Sequence, residues 1–199
     1  MGFAVFLEPK KELSSAIQAW KKKINIYMPD QPYCSHPPHC TLIHLKVTNE
    51  QEACLKIKKI LEEAVSFKVE IDQAGVFWED MATDGGHTLH LKIKPEPEIF
   101  SLQLKIAKIL RPFVYFKQMP DYVSNDSMLR ESYKSYGFPF VGKHWVPHFS
   151  IASLKTDRIN PIIKEFLEWK PSYSMIGLDA SCWHIDGDQH ILLERQLLD

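Results

Sequence analysis

No apolar run in this sequence approaches the ~20 residues that a membrane-spanning helix requires. The opening Met1-Gly2-Phe3-Ala4-Val5-Phe6-Leu7 has no basic leader and soon meets Lys10 and Lys11, so it reads as a first strand and not as a secretion signal. Phe6 stands where a myristoylation signal wants Ser or Thr. These gaps point to a soluble, cytoplasmic protein without a membrane partner. Cysteine is scarce: Cys34, Cys40, Cys54 and Cys182 form no C-x-x-C pair, which suits free thiols in a reducing compartment. A charge surplus is also missing, with 24 basic against 25 acidic residues and a net charge of −1. Proteins that hold long duplexes through many phosphates usually carry a basic excess, so any nucleic-acid substrate should be a nucleotide or a strand end. Nor is a metal expected. His36-Pro37-Pro38-His39 lacks the Cys or carboxylate partners that would complete a tetrahedral set. Neither metal nor cofactor is expected, and a monomer is.

What the sequence does contain is an internal repeat. Pro38-His39-Cys40-Thr41-Leu42-Ile43-His44-Leu45-Lys46 matches Pro147-His148-Phe149-Ser150-Ile151-Ala152-Ser153-Leu154-Lys155 at Pro, His, Leu and Lys, with Thr/Ser and Leu/Ile exchanged. Helical apolar spacing follows each copy, over Glu50–Ala64 and Ile159–Trp169. A strand-like stretch comes next in each, Phe67–Trp78 and Tyr173–Trp183. Polar turns (Asp84-Gly85-Gly86 and Asp186-Gly187-Asp188) then lead into final strands at His87–Ile93 and His190–Leu193. A strand at Phe3–Leu7 and a helix at Glu12–Lys23 precede the first copy. A third helix at Glu98–Leu110 and an aromatic-rich connector, Arg111–Val146, separate the copies. A connector this long should be a functional lid or partly helical, with Ser127–Tyr136 as the candidate helix. The expected architecture is α+β: one bilobal duplicated domain over residues 1–199, with repeat units near 37–94 and 146–197. Two antiparallel β-sheets should flank a central cleft, with helices on the outer faces.

In a strand, side chains two apart share a face. His39 therefore projects with Thr41, and His148 with Ser150, while Cys40, Leu42, Phe149 and Ile151 turn the other way. Two imidazoles and two hydroxyls converging on one cleft suit a phosphodiester. One histidine takes a proton from the attacking oxygen and the other gives one to the leaving oxygen. The hydroxyls meet charge that builds on the non-bridging oxygens.

The duplicated P-H-x-[TS]-[LI], with the strand–helix opening and the Leu-rich final strand, resembles the 2H phosphoesterase superfamily. This is the group of 2′-5′ RNA ligase-like and 2′,3′-cyclic nucleotide phosphodiesterase proteins. The resemblance implies His39, Thr41, His148 and Ser150 as a metal-independent catalytic quartet between two lobes. It also implies a 2′,3′-cyclic phosphate or related ribose-linked phosphodiester as substrate. A 2′-5′ oligonucleotide phosphodiesterase, an RNA-end processing enzyme and a non-catalytic nucleotide-binding module are the alternatives. The resemblance favours His39 as the acid and His148 as the base in hydrolysis.

Around the quartet, Tyr33 and Trp145 are candidates to stack on a base because each lies just upstream of a motif. His90 alternates with Leu89 and Leu91 and should face the cleft. Arg130 and Lys143 are candidates to neutralise phosphate from the connector. His44, by its parity from His39, should face away from the cleft, and Lys21-Lys22-Lys23 reads as a solvated helix end.

Overall fold

The computed structural model describes residues 2–64, 66–176, 178–187 and 189–198; Met1 of the opening segment and Asp188 of the second polar turn lie outside them. In chain order the elements are β1 (Gly2–Glu8), α1 (Lys11–Tyr27), β2 (Cys40–Leu45), α2 (Glu50–Glu62), β3 (Lys68–Asp80), β4 (Gly86–Ile93) and α3 (Pro97–Leu110). There follow α4 (Asp121–Ser124), α5 (Ser127–Tyr136), β5 (His148–Leu154), α6 (Pro161–Glu168), β6 (Tyr173–Ile176), β7 (Asp179–Asp186) and β8 (Gln189–Leu197). Among the described residues no helix is long and apolar enough to cross a membrane.

Local chemistry explains the helices. The Asn49 side chain accepts the Glu52 backbone N–H and starts α2, and Asn160 does the same for Ile162 at α6. Asp126 accepts from Met128 and Leu129 to start α5. That helix stops at Gly137, whose φ of 73° is left-handed. Each long helix buries one stripe, such as Ala53, Ile57, Ile60 and Leu61 of α2.

Two four-stranded antiparallel sheets result, ordered β2-β1-β7-β8 and β5-β4-β3-β6. The fold is thus the expected α+β one. In one respect the strands differ from expectation: Tyr173–Trp183 is not one strand. β6 pairs with β3 in the second sheet and β7 pairs with β1 in the first, so the chain changes sheets between them. The connector is partly helical, through α4 and α5.

The two sheets match residue for residue around the motifs. In the first, Val5 pairs with Ile43 but Phe6 with Thr41, leaving Leu42 as an extra residue. In the second, Leu89 pairs with Ala152 but His90 with Ser150, leaving Ile151 extra. The same β-bulge therefore follows each hydroxyl. It makes Phe6 the counterpart of His90, and, through Ala4 and Thr88, Trp183 the counterpart of Phe77. By this register the spatial repeat relates β1 to β4 and begins one strand and one helix ahead of the sequence repeat.

A bulge also resets the alternation of faces. Leu42 and Ile43 are both fully buried, as are Ile151 and Ala152. His44, opposite Ala4, consequently lies on the same face as Phe6, its ring over Gly2. The parity argument that turned it away from that face fails at the bulge.

The lobes are tied across their middle. Lys21 of α1 is buried, not solvated, because α1 continues four residues past the lysine run. Its Nζ donates to the carbonyl of Tyr33 and, at 2.9 Å, to that of Ile151. Gln103 of α3 answers from the other side, Nε2 donating to the Leu42 carbonyl at 3.1 Å and to that of Phe140 at 2.8 Å. Each helix thus grips the bulge residue of the other sheet's motif strand.

Candidate active site

Each motif histidine directly follows a proline, His148 as the first residue of β5 and His39 one residue ahead of β2. Pro38 and Pro147 bias the residues before them towards extended backbone, and the carbonyls of Pro37 and Val146 come to rest against the rings. His39 Nδ1 lies 2.7 Å from the Pro37 carbonyl oxygen, and His148 Nδ1 lies 2.7 Å from that of Val146. A carbonyl only accepts, so Nδ1 carries the proton in both rings and Nε2 is left for other work. Thr41 and Ser150 are half-buried like the histidines, while Cys40 and Phe149 between them are buried.

The motif strands also touch. The His148 backbone lies beside the buried Cys40 thiol, and Trp145 Nε1 donates to the Thr41 carbonyl at 3.0 Å. The structure thereby brings His39, Thr41, His148 and Ser150 onto two abutting strands.

Beneath the histidines the two halves differ. Phe6 stacks flat on His39, centroids 3.8 Å apart at 16°. On the other side, Phe77 stacks flat on His90 (3.9 Å, 16°), and both meet His148 edge-on. His90 needs the space over Gly75, where a Cβ would come within 2.7 Å of its Nε2.

Burial, above all, lowers the pKa of every one of these rings. It takes His39 to about 3 against the raising effect of the Pro37 hydrogen bond, with the Lys21 ammonium pushing the same way as burial. His90 also falls to about 3, through burial and then His148. His148 is lowered by burial too, but the Val146 hydrogen bond and the Asp80 carboxylate oppose the fall. With no anion bound, both motif histidines are neutral at pH 7.

The further residues singled out in the sequence fare unequally. Tyr33 sits half-buried on the loop before His39, edge-on to His36 at 5.5 Å, in a left-handed conformation (φ 71°). Burial, with Asp80 and Tyr122 nearby, raises its hydroxyl pKa to about 12. His90 does lie on the face shared with Phe6's counterpart row, but only 5% exposed, so it supports His148 from below. Trp145 is buried and its indole N–H is spent on Thr41; it holds the motif strand and offers no face for stacking. Arg130 is exposed and donates to the Ser124 carbonyl at 2.8 Å, inside the connector. Lys143 is exposed on the turn Gly142–His144. Among the described residues no three His, Cys, Asp or Glu side chains are grouped to hold a metal ion.

Residues the sequence argument missed are Phe6, Phe77, Lys21, Gln103 and Asp80. The signal for one of them, Phe6, was present. Gly2-Phe3-Ala4-Val5-Phe6-Leu7 aligns with Gly86-His87-Thr88-Leu89-His90-Leu91, with Lys10 and Lys94 at the same offset beyond.

The architecture recurs in solved structures. TT0787 of Thermus thermophilus superposes with a TM-score of 0.58 at 17% identity, over 100% of this chain and 98% of that one. Apo LigT of E. coli gives 0.59 at 12% identity, and LigT complexed with 3′-AMP gives 0.56 at 13%, each over 98% of this chain and 96% of that one. These likenesses establish a shared fold. No curated protein matches the sequence. The model of the 2′-5′ RNA ligase superfamily, however, matches residues 9–189, taking in both motifs and the whole of the second sheet. The resemblance drawn from the two His-x-Thr/Ser strands is therefore one of kinship, and the chain belongs to the 2′-5′ RNA ligase superfamily of 2H phosphoesterases.

Proposed function

We propose that the protein is a metal-independent phosphodiesterase acting on a 2′,3′-cyclic phosphate or a related ribose-linked phosphodiester. The observation that carries this reading is the matched anchoring of His39 and His148 by Nδ1 at 2.7 Å, which frees Nε2 of each for proton transfer. In the reaction, one Nε2 takes a proton from water as the water oxygen bonds to phosphorus. The bond from phosphorus to one ribose oxygen breaks, and that oxygen receives the proton of the other histidine. Thr41 and Ser150 hydroxyls donate to the non-bridging oxygens as they gain charge. The product is a 2′- or 3′-phosphomonoester. E. coli LigT, which shares the fold, has been crystallised with 3′-AMP, a phosphomonoester of the class this reaction releases.

The surroundings of the two rings favour the reverse of the roles implied by the resemblance. His39 has the Lys21 ammonium as its charged neighbour, whereas His148 has the Asp80 carboxylate. His148 is the better proton carrier and so the acid; His39 is the base.

Turnover of a panel of 2′,3′-cyclic mononucleotides, 2′-5′ and 3′-5′ dinucleotides, before and after exhaustive EDTA treatment, tests the reading. Cyclic substrates should be cleaved in both conditions. Activity that disappears with chelator and returns with Mn²⁺ or Zn²⁺ refutes metal independence. Cleavage of the 2′-5′ dinucleotide alone selects the oligonucleotide phosphodiesterase. Binding without turnover selects the binding module.

A further inference from the structure

A cavity of about 210 Å³ opens beside His39, between Phe6, Trp183, Glu8 and Arg195. Along its wall, side chains are hydrogen-bonded in series. Trp183 Nε1 donates to Ser181 Oγ at 2.7 Å, Ser181 donates to Glu8 Oε1 at 2.5 Å, and Arg195 Nη2 donates to Glu8 Oε2 at 2.8 Å. The Glu8 side chain is only 19% exposed, while Arg195 retains 47%. The chain of bonds fixes the indole and leaves the outer guanidinium nitrogen, Nη1, outside these contacts.

The fold does not require this network. At the matching positions the second lobe has Phe77 for Trp183, Gly75 for Ser181 and Lys92 for Glu8. Its edge strand β6 pairs with β3 only along 68–71, so nothing there matches Arg195. One lobe builds the same sheet without the network, so the network serves something other than the sheet.

We propose that this cavity seats the nucleobase of the substrate, next to the phosphate held between the histidines; the proposal rests on the quartet reading given above. Aromatic faces stack on a base whatever its identity. Arg195 Nη1 can donate to a carbonyl or ring nitrogen on the base edge. A second phosphate is the poorer occupant, because Glu8 already balances the charge of Arg195. The network also holds both contact groups in place before the ligand arrives, which lowers the cost of binding.

The test is a ratio. Wild-type kcat/KM is measured on a 2′,3′-cyclic nucleotide and on methyl ribofuranoside 2,3-cyclic phosphate, which lacks a base. The ratio should be about tenfold or more, the range that base–aromatic stacking supplies. In Trp183→Leu and in Arg195→Met it should fall towards one. Arg195 is on an exposed edge strand, so its variant keeps the test open if Trp183→Leu does not fold. A wild-type ratio near one, or a ratio that both variants leave unchanged, overturns the proposal. If the wild type cleaves neither compound, the cyclic-phosphate reading fails by itself. Calorimetric titration with 3′-AMP against methyl ribofuranoside 3-phosphate then decides the cavity: tighter binding of 3′-AMP, weakened by Arg195→Met, supports it, and equal affinities overturn it.

Discussion

The two halves of the active site share a backbone and differ in what surrounds it. Register, bulge, proline and Nδ1 anchor repeat from β2 to β5. Under the rings, phenylalanine faces one histidine where a histidine–phenylalanine pair faces the other. Beside them, one ammonium, that of Lys21, approaches His39 and one carboxylate, that of Asp80, approaches His148. Duplication thus provides the geometry of an acid and a base, and the unequal neighbours give the proton traffic a direction. Identical side chains acquire different jobs through environment alone, as perturbed pairs in active sites do.

The largest effect expected is loss of either imidazole. His39→Ala and His148→Ala should each lower kcat by ~10²–10⁴-fold on a cyclic nucleotide, and the double variant should fall far short of the product. An activated aryl phosphodiester, whose leaving group needs no proton, separates the halves. His148→Ala should recover on it and His39→Ala should not; the opposite pattern reverses the assignment, and equal behaviour removes it.

Next come the hydroxyls. Thr41→Val and Ser150→Ala should each reduce kcat by ~10²-fold with little change in KM, as for donors that meet transition-state charge. Their matched register predicts matched losses, and an effect confined to KM would mean they only hold the ground state.

The crossed struts should matter less. Lys21→Met and Gln103→Leu each free a bulge carbonyl beside a catalytic hydroxyl, so kcat should drop about tenfold, less than the ~10²-fold that a 1 Å misplacement can cost. Urea denaturation should record about 1–3 kcal/mol for the buried carbonyls left unpaired. Intact kcat alongside lost stability would make the struts purely structural.

The smallest effect is a displacement in pH. Both free histidines are depressed below 6.5, so the singly protonated pair is populated on the acid side, and kcat/KM should be bell-shaped with its centre below pH 6.5. The bound phosphate favours imidazolium, so the kcat bell should lie at higher pH. The limbs belong to the pair and not to named residues. Rates from pH 4 to 9 that place both bells together would show that the anion does not recharge the site.

Much of this molecule was legible in its residues, and the illegible parts have specific causes. Alternation located the motif faces and the buried residues between them, because a strand's period is fixed by its backbone. It failed at His44, since a bulge inserts a residue without leaving a mark in composition. The helical run of lysines was misread at Lys21 because burial of an ammonium depends on two carbonyls, Tyr33 and Ile151, that lie far apart in sequence. Tyr173–Trp183 read as one strand because both of its pieces have strand composition; which sheet each joins is a tertiary matter. Trp145 was placed near the motif correctly, but adjacency in sequence did not say whether its ring would face solvent or core.

The exchange of strands has one more consequence. The chain leaves the first sheet after α2 to form β3 in the second, and leaves the second after α6 and β6 to form β7 in the first. Each half therefore completes its neighbour's sheet. A polypeptide holding only one half would expose an unfilled sheet and a surplus strand, and the simplest cure for both is a second copy of itself. Two such copies would close around a twofold axis into a strand-exchanged homodimer with a histidine and a hydroxyl from each. Joined in one chain, the copies were free to become unlike, which no symmetric dimer of identical subunits can do.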